Sequence, residues 1–121
     1  MTNNTHYLTL KNPENCELDE YIMKGKKTVE GRRDLERYKE IKKGDNILFK
    51  AKGRQIECKV TKVEEYKQFE DFVKNHYKKS LPCVKDKCEA IELYKSFYPK
   101  QLKLEGFVAI HIKYIRQRFF R

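Results

Sequence analysis

The chain has 121 residues, 39% hydrophobic and 38% charged, a balance that fits one domain with a single core and excludes disorder throughout. Its net charge of +10 points to phosphate-bearing partners or anionic surfaces, although 21 Lys against 7 Arg also suits a generic lysine-coated exterior. No apolar run is long enough to span a bilayer and no secretory h-region opens the chain, so a cytoplasmic or nuclear setting away from membranes, with four free thiols, is expected.

In chain order, "HYLTLK" alternates as a strand does, and "NPENCELDEYIMKG" carries helix signals: Asn12 as cap, Pro13 in the first turn and Gly25 at the end. Leu18, Tyr21 and Ile22 lie at helical spacing and are read as core. Such a helix delivers Lys26 and Lys27 beyond its C-terminus, into the basic stretch "KGKKTVEGRRD". There "TVEGR" reads as a short strand with Thr28, Glu30 and Arg32 on one side and Val29 on the other. Lys27 has the opposite parity to these three, so it joins them only if the chain bends at Thr28.

"RDLERYKEIKKGDN" reads as a loop with one helical turn, closing at Gly44-Asp45. "ILFKA", the Lys52-Gly53-Arg54 turn and "QIECKVTKV" form a predicted hairpin in which Cys58 packs as a small apolar residue. "QFEDFVKNHY" sets Phe69, Phe72, Val73 and His76 on one helical face, with His76 at its edge. After the break at "LPCVKD", "CEAIELYKSFYP" predicts a second helix docked through Ala90, Ile91, Tyr94 and Phe97 and ending at Pro99.

"GFVAIHIKYI" is apolar on both faces, Val108, Ile110 and Ile112 opposing Phe107, Ala109 and His111, as a central or barrel-closing strand requires. The last residues, "RQRFFR", suit either a tail for single-stranded nucleic acid or a folded-back segment with its Phe pair buried. Cys83-x4-Cys88 is looser than paired zinc knuckles, so no metal site or cofactor is expected. One domain over residues 1–121 follows, with 1–5 and 116–121 as candidate tails. The order β-α-β-β-β-α-α-β favours an α+β fold on a small, mostly antiparallel sheet or barrel.

Taken together, "GKKTVEGR", "IKKGDNILF", "VTKVEEYKQFEDFV", a Tyr-rich helix and "EGFVAIHI" resemble, in this order from Tyr7 to Ile112, the ASCH domain of the PUA-like superfamily. The resemblance implies a small, mostly antiparallel β-barrel flanked by about three helices. It also implies a cleft lined by the Gly-Lys-x-x-Glu-Gly-Arg segment that handles RNA or modified nucleosides. Lys27, Glu30 and Arg32 match that segment, and Tyr66 and Phe69 match the family's Tyr-x-x-Phe. Relatives resembling this group hydrolyse acetylated cytidine nucleosides with a Lys, a Thr and a Glu. Lys27 matches the Lys, Glu30 stands at the Thr position with Thr28 nearby, and Glu70 is the candidate for the third residue.

Two readings of the segment compete. As a binding module, Lys26, Lys27, Arg32 and Arg33 meet phosphate beside Thr28, Glu30 accepts hydrogen bonds from a base or ribose edge, and Tyr66 stacks on a base. As a metal-independent hydrolase of a modified nucleoside or RNA, Lys27 transfers a proton, Glu30 or Glu70 activates water, and Arg32 stabilises the developing charge. The bland alternative is a solvated turn on which Glu30 and Arg32 form a surface pair of little worth. Oligomeric state is left open by the residues.

Overall fold

The computed structural model describes residues 3–33, 36–98 and 105–119. Its elements are β1 (Thr5–Thr9), α1 (Leu18–Met23), β2 (Val29–Arg33), α2 (Glu36–Lys39), β3 (Asn46–Ala51), β4 (Arg54–Gln68), α3 (Phe69–Ser80), α4 (Lys87–Phe97) and β5 (Glu105–Phe119). β4 and β5 are the two longest strands, and they pair antiparallel along nearly their whole length. Two register shifts interrupt the ladder, one leaving Ile115 of β5 as an extra residue beside Glu57/Cys58 and one leaving Thr61 of β4 as an extra residue between Val60 and Lys62, the pattern of β-bulges.

The sheet order is β1-β3-β4-β5-β2. Three pairings are antiparallel, but β1 runs parallel to β3, so the sheet is mixed. Among the described residues β1 and β2 remain as its two edges, so the sheet is open where the resemblance implies a closed barrel. The fold is α+β, with four helices among the described residues rather than about three, the addition being the single turn α2. No helix among the described residues is long and apolar enough to cross a membrane.

The apolar pattern of β5 explains the layering. Phe107 meets the rings of Phe69 and Phe72 on α3 at 4.9 and 5.1 Å between centroids, and Tyr94 on α4 at 5.5 Å. Ile110 and Ile112 are buried with Ile47, Phe49, Ile56 and Val60 in the same core. Cys58 lies fully buried among them, and burial pushes its thiol pKa up to about 12. At the β3–β4 turn Lys52 and Gly53 both have positive φ, the conformation that lets a two-residue hairpin follow the strand twist.

Three local expectations need correction. α1 starts at Leu18 rather than near Pro13, because residues 13–16 close a turn, with the Cys16 N–H donating to the Pro13 carbonyl at 3.0 Å. Asn12 still serves the helix from outside it, its Oδ1 accepting from the Leu18 N–H at 2.9 Å. Gly25, at φ +77°, does end the helix. Second, β5 continues through Arg116–Phe119, where Arg116 and Arg118 oppose Glu57 and Gln55 of β4, so this segment is strand rather than tail. The expected burial of the terminal Phe pair rests on Phe120, which lies outside the described residues, as does the expected stop at Pro99.

Third, Cys16 and Cys83 are not free but form a disulfide, with Cα atoms 5.6 Å apart across 67 residues of sequence. Nothing in their spacing identified the pairing, which joins the turn before α1 to the connection between α3 and α4. Cys58 and Cys88 are free.

Two predictions follow from this packing. Reducing the disulfide, or Cys16→Ser, should lower the unfolding free energy by roughly 2–4 kcal/mol through the freed unfolded chain; coincident urea transitions for oxidised and reduced protein would contradict it. Gly31 on β2 faces α3 and α4 so closely that an added Cβ would strike the Phe72 ring and lie 2.7 Å from the Tyr94 hydroxyl. Gly31→Ala should therefore cost about 1–3 kcal/mol, visible as a lower urea midpoint with unchanged slope.

Candidate functional site

The bend that Lys27 requires is present. The N–H groups of Lys26 and Lys27 both donate to the Tyr21 carbonyl, at 2.9 and 3.0 Å, wrapping the chain around the end of α1. Thr28 then donates to the Lys79 carbonyl, and regular pairing of β2 with β5 begins at Val29. Lys27 is thereby turned inward until it is only 1% exposed.

Its ammonium donates to the carbonyls of Val29 at 2.8 Å and Ser80 at 2.7 Å and pairs with Glu30 Oε1 at 2.9 Å. An ammonium has three N–H donors, so all of them are committed. The other oxygen of Glu30 accepts from Arg32 Nε at 2.6 Å. Arg32 reaches on across the sheet opening, donating from one terminal nitrogen to the Thr9 carbonyl of β1 at 2.8 Å and from the other to the Tyr38 hydroxyl at 3.4 Å. Its guanidinium also lies 5.7 Å from the centre of the Tyr38 ring, a cation–π distance.

Two cations thus surround one carboxylate in a place water barely reaches. Burial would raise the Glu30 pKa, but Lys27 and Arg32 outweigh it and hold the group below the usual carboxylate range. Burial pulls Lys27 down while Glu30 opposes the fall. For Arg32 burial acts downward too, yet Glu30 and Tyr38 carry its pKa up, so it remains charged. The cluster therefore carries one net positive charge, which favours an anionic or electron-rich guest.

It forms the floor of a cleft of about 340 Å³. Tyr7, Tyr38, Tyr94, Phe97 and Tyr98 supply aromatic lining, Leu18 and Leu81 apolar lining, and Lys11 and Arg37 exposed positive charge. Tyr7 on the edge strand β1 is 70% exposed, an aromatic face open to solvent. Burial keeps the Tyr94 and Tyr98 hydroxyls protonated.

Of the residues singled out by sequence, the structure brings together Lys27, Glu30 and Arg32. Lys26 is exposed and Thr28 half-buried, and neither lines the cleft. Arg33 has the opposite strand parity to Arg32, and its backbone N–H donates to the Tyr98 hydroxyl at 3.4 Å. Glu70 is exposed in the first turn of α3, outside the cleft lining. Tyr66 also lies elsewhere, its hydroxyl 3.0 Å from His76 Nε2. The reading from sequence missed Tyr7, Thr9 and Tyr38, whose elements carry no local signal of a site, and took Tyr94 for core alone.

Comparison with known proteins identifies the family and the fold. No functionally curated protein matches the chain. Among solved structures, the hypothetical protein PH0355 is 33% identical, with a TM-score of 0.75 over 92% of this chain and 99% of that one. Protein PF0455 from Pyrococcus furiosus is 30% identical, with a TM-score of 0.70 over 93% and 98% of the two chains. An ASCH domain from Lactobacillus crispatus shares the fold at 13% identity, with a TM-score of 0.65 over 92% of this chain and 79% of that one. The family model for the ASCH domain matches residues 17–116, a span that includes the whole Lys27–Glu30–Arg32 cluster, and the chain belongs to the ASCH domain family.

Proposed function

We propose that the protein binds RNA or a nucleoside-like ligand in the cleft built on Lys27, Glu30 and Arg32. The observation that carries this reading is the buried cluster of two cations and one carboxylate on the floor of an aromatic-walled cleft. Because the three donors of Lys27 are all spent on the protein, its task is to hold Glu30 in place and ionised. Glu30 retains unused lone pairs, and Arg32 has two of its five N–H donors to spare, so acceptor and donor stand side by side. That pairing complements the mixed donor and acceptor edge of a nucleobase.

Stacking belongs in this reading to Tyr7 and its aromatic neighbours rather than to Tyr66, and phosphate contact to Lys11 and Arg37 at the mouth. A volume of about 340 Å³ lies at the small end of the roughly 300–1,000 Å³ typical of ligand pockets, suited to one base and its sugar rather than a buried strand. Hydrolysis of N4-acetylcytidine or of RNA has less support. A carboxylate held below its usual range is a weak base, Lys27 has no N–H left to deliver, and Glu70 stands outside the cleft.

Fluorescence anisotropy with a short labelled single-stranded RNA tests the proposal. Arg37→Ala should flatten the dependence of log affinity on log salt by about 0.7, one single-strand phosphate contact, and Tyr7→Ala should cost roughly 1–3 kcal/mol of stacking. Both side chains lie outside the core, so wild-type behaviour from both variants would sink the reading. The charge cluster itself is read by acid unfolding. A carboxyl depressed in the fold contributes stability above its unfolded pKa, near the ordinary 4.5 for Glu30, and loses it as pH falls through the folded value. Glu30→Gln should lower stability at pH 7 and flatten the acid limb below pH 4.5 without abolishing it, because Asp19, Asp45 and Glu64 are depressed as well. An acid limb as steep as wild type would show that Glu30 is not held ionised.

A further inference from the structure

A second constellation lies beneath α3, outside the cleft lining. Glu64 on β4 and His111 on β5 point to the same face of the sheet, since Lys62 opposes His111 and Glu64 opposes Ala109. His76, one helical turn beyond Phe72, descends onto that face from α3, and the two imidazole rings meet edge to face at 5.1 Å. Both aim their Nε2 atoms at one carboxylate oxygen. His111 Nε2 lies 2.6 Å and His76 Nε2 3.1 Å from Glu64 Oε1, and the three candidate ligand atoms fall within 4.8 Å of one another.

We propose that Glu64, His76 and His111 form a binding site for a divalent first-row transition ion, of which Zn²⁺ is the probe. Two imidazoles and one carboxylate are the donor set that such ions take in open, tetrahedral sites, and nitrogen donors disfavour Mg²⁺ and Ca²⁺. Ligand bonds of about 2.0–2.2 Å place tetrahedral ligand atoms about 3.3 Å apart, so admitting the ion requires the tightest of these contacts to open by less than about 1 Å. The side chains are 12–27% exposed, covered enough to be held in position and open enough for an ion to enter.

Two further observations fit. The Tyr66 hydroxyl, 3.0 Å from His76 Nε2 and 3.4 Å from Glu64 Oε2, adds an oxygen at the edge of the cluster. Rigid elements set all three ligands, two from the long β4–β5 ladder and one from a helix locked to it by Phe72 and Phe107. Protons on the two Nε2 atoms satisfy Glu64 equally well, so the ion competes with them and its uptake releases protons. Lys62, 3.6 Å from Glu64 Oε2, adds a positive neighbour and limits affinity.

Equilibrium dialysis of the whole chain against Zn²⁺ tests the site, with the Cys16–Cys83 disulfide intact and Cys88→Ser removing the exposed free thiol. One equivalent of Zn²⁺ should be retained, and His76→Gln or His111→Gln should each weaken it at least about tenfold, the loss that even an outer-shell partner brings. Co²⁺ should give the visible absorption of a tetrahedral site, and Zn²⁺ should raise the thermal midpoint of the parent but not of a variant carrying both His76→Gln and His111→Gln. Should a His variant fail to fold, Glu64→Gln, which preserves the side-chain shape, provides the same reading. No retained Zn²⁺ in the parent, or undiminished binding in the folded variants, overturns the proposal.

Discussion

The structure turns on the buried ammonium of Lys27. Placing a charge at 1% exposure is tolerable only because each of its N–H groups has a partner, and those partners come from two elements, β2 and α3. The Val29 carbonyl is at the head of β2, the Ser80 carbonyl ends α3, and Glu30 lines the cleft. One side chain thus fixes the approach of α3 to the sheet edge and the orientation of the carboxylate. Removing a partner from a buried pair of this kind typically costs about 3–5 kcal/mol, more than the pair adds relative to an apolar substitute. The arrangement therefore sets geometry and charge at the cleft more than it raises overall stability.

Around that centre the layers fall into place for apolar reasons. β5 is buried along both faces over its first half, and the rings of Phe69, Phe72, Tyr94 and Phe107 fill the space between sheet and helices. Gly31 allows β2 to lie flush against those rings, which is what brings Glu30 and Arg32, its neighbours of opposite parity, to the opening between the edge strands. Packing on one side of the strand thus positions chemistry on the other.

How much of this was legible depended on whether the deciding contacts were local. Glu30 and Arg32 share a strand face within three residues, so their meeting could be read directly, and periodicity placed the core faces of α3, α4 and β5. Lys27 could not be assigned, since its position depends on the Tyr21 and Lys79 carbonyls. The start of α1 was misplaced because Asn12 and Pro13 carry cap signals, while Asn15 at φ 59° belongs to the turn before the helix. Arg116–Phe119 looked like a tail because its polar composition hides a ladder with β4. The Cys16–Cys83 bond and the Glu64–His76–His111 cluster join residues far apart in sequence, and spacing carries no trace of either.

The opening between β1 and β2 is spanned by the bond from Arg32 to the Thr9 carbonyl. Among the described residues the two edges share no backbone ladder, so parting them costs a side-chain contact rather than a cooperative row of hydrogen bonds. Arg32 is therefore both the latch of the seam and a wall of the chamber behind it. A guest that engages the spare N–H groups of Arg32 draws on the same guanidinium that holds Thr9, which couples occupancy to the width of the gap.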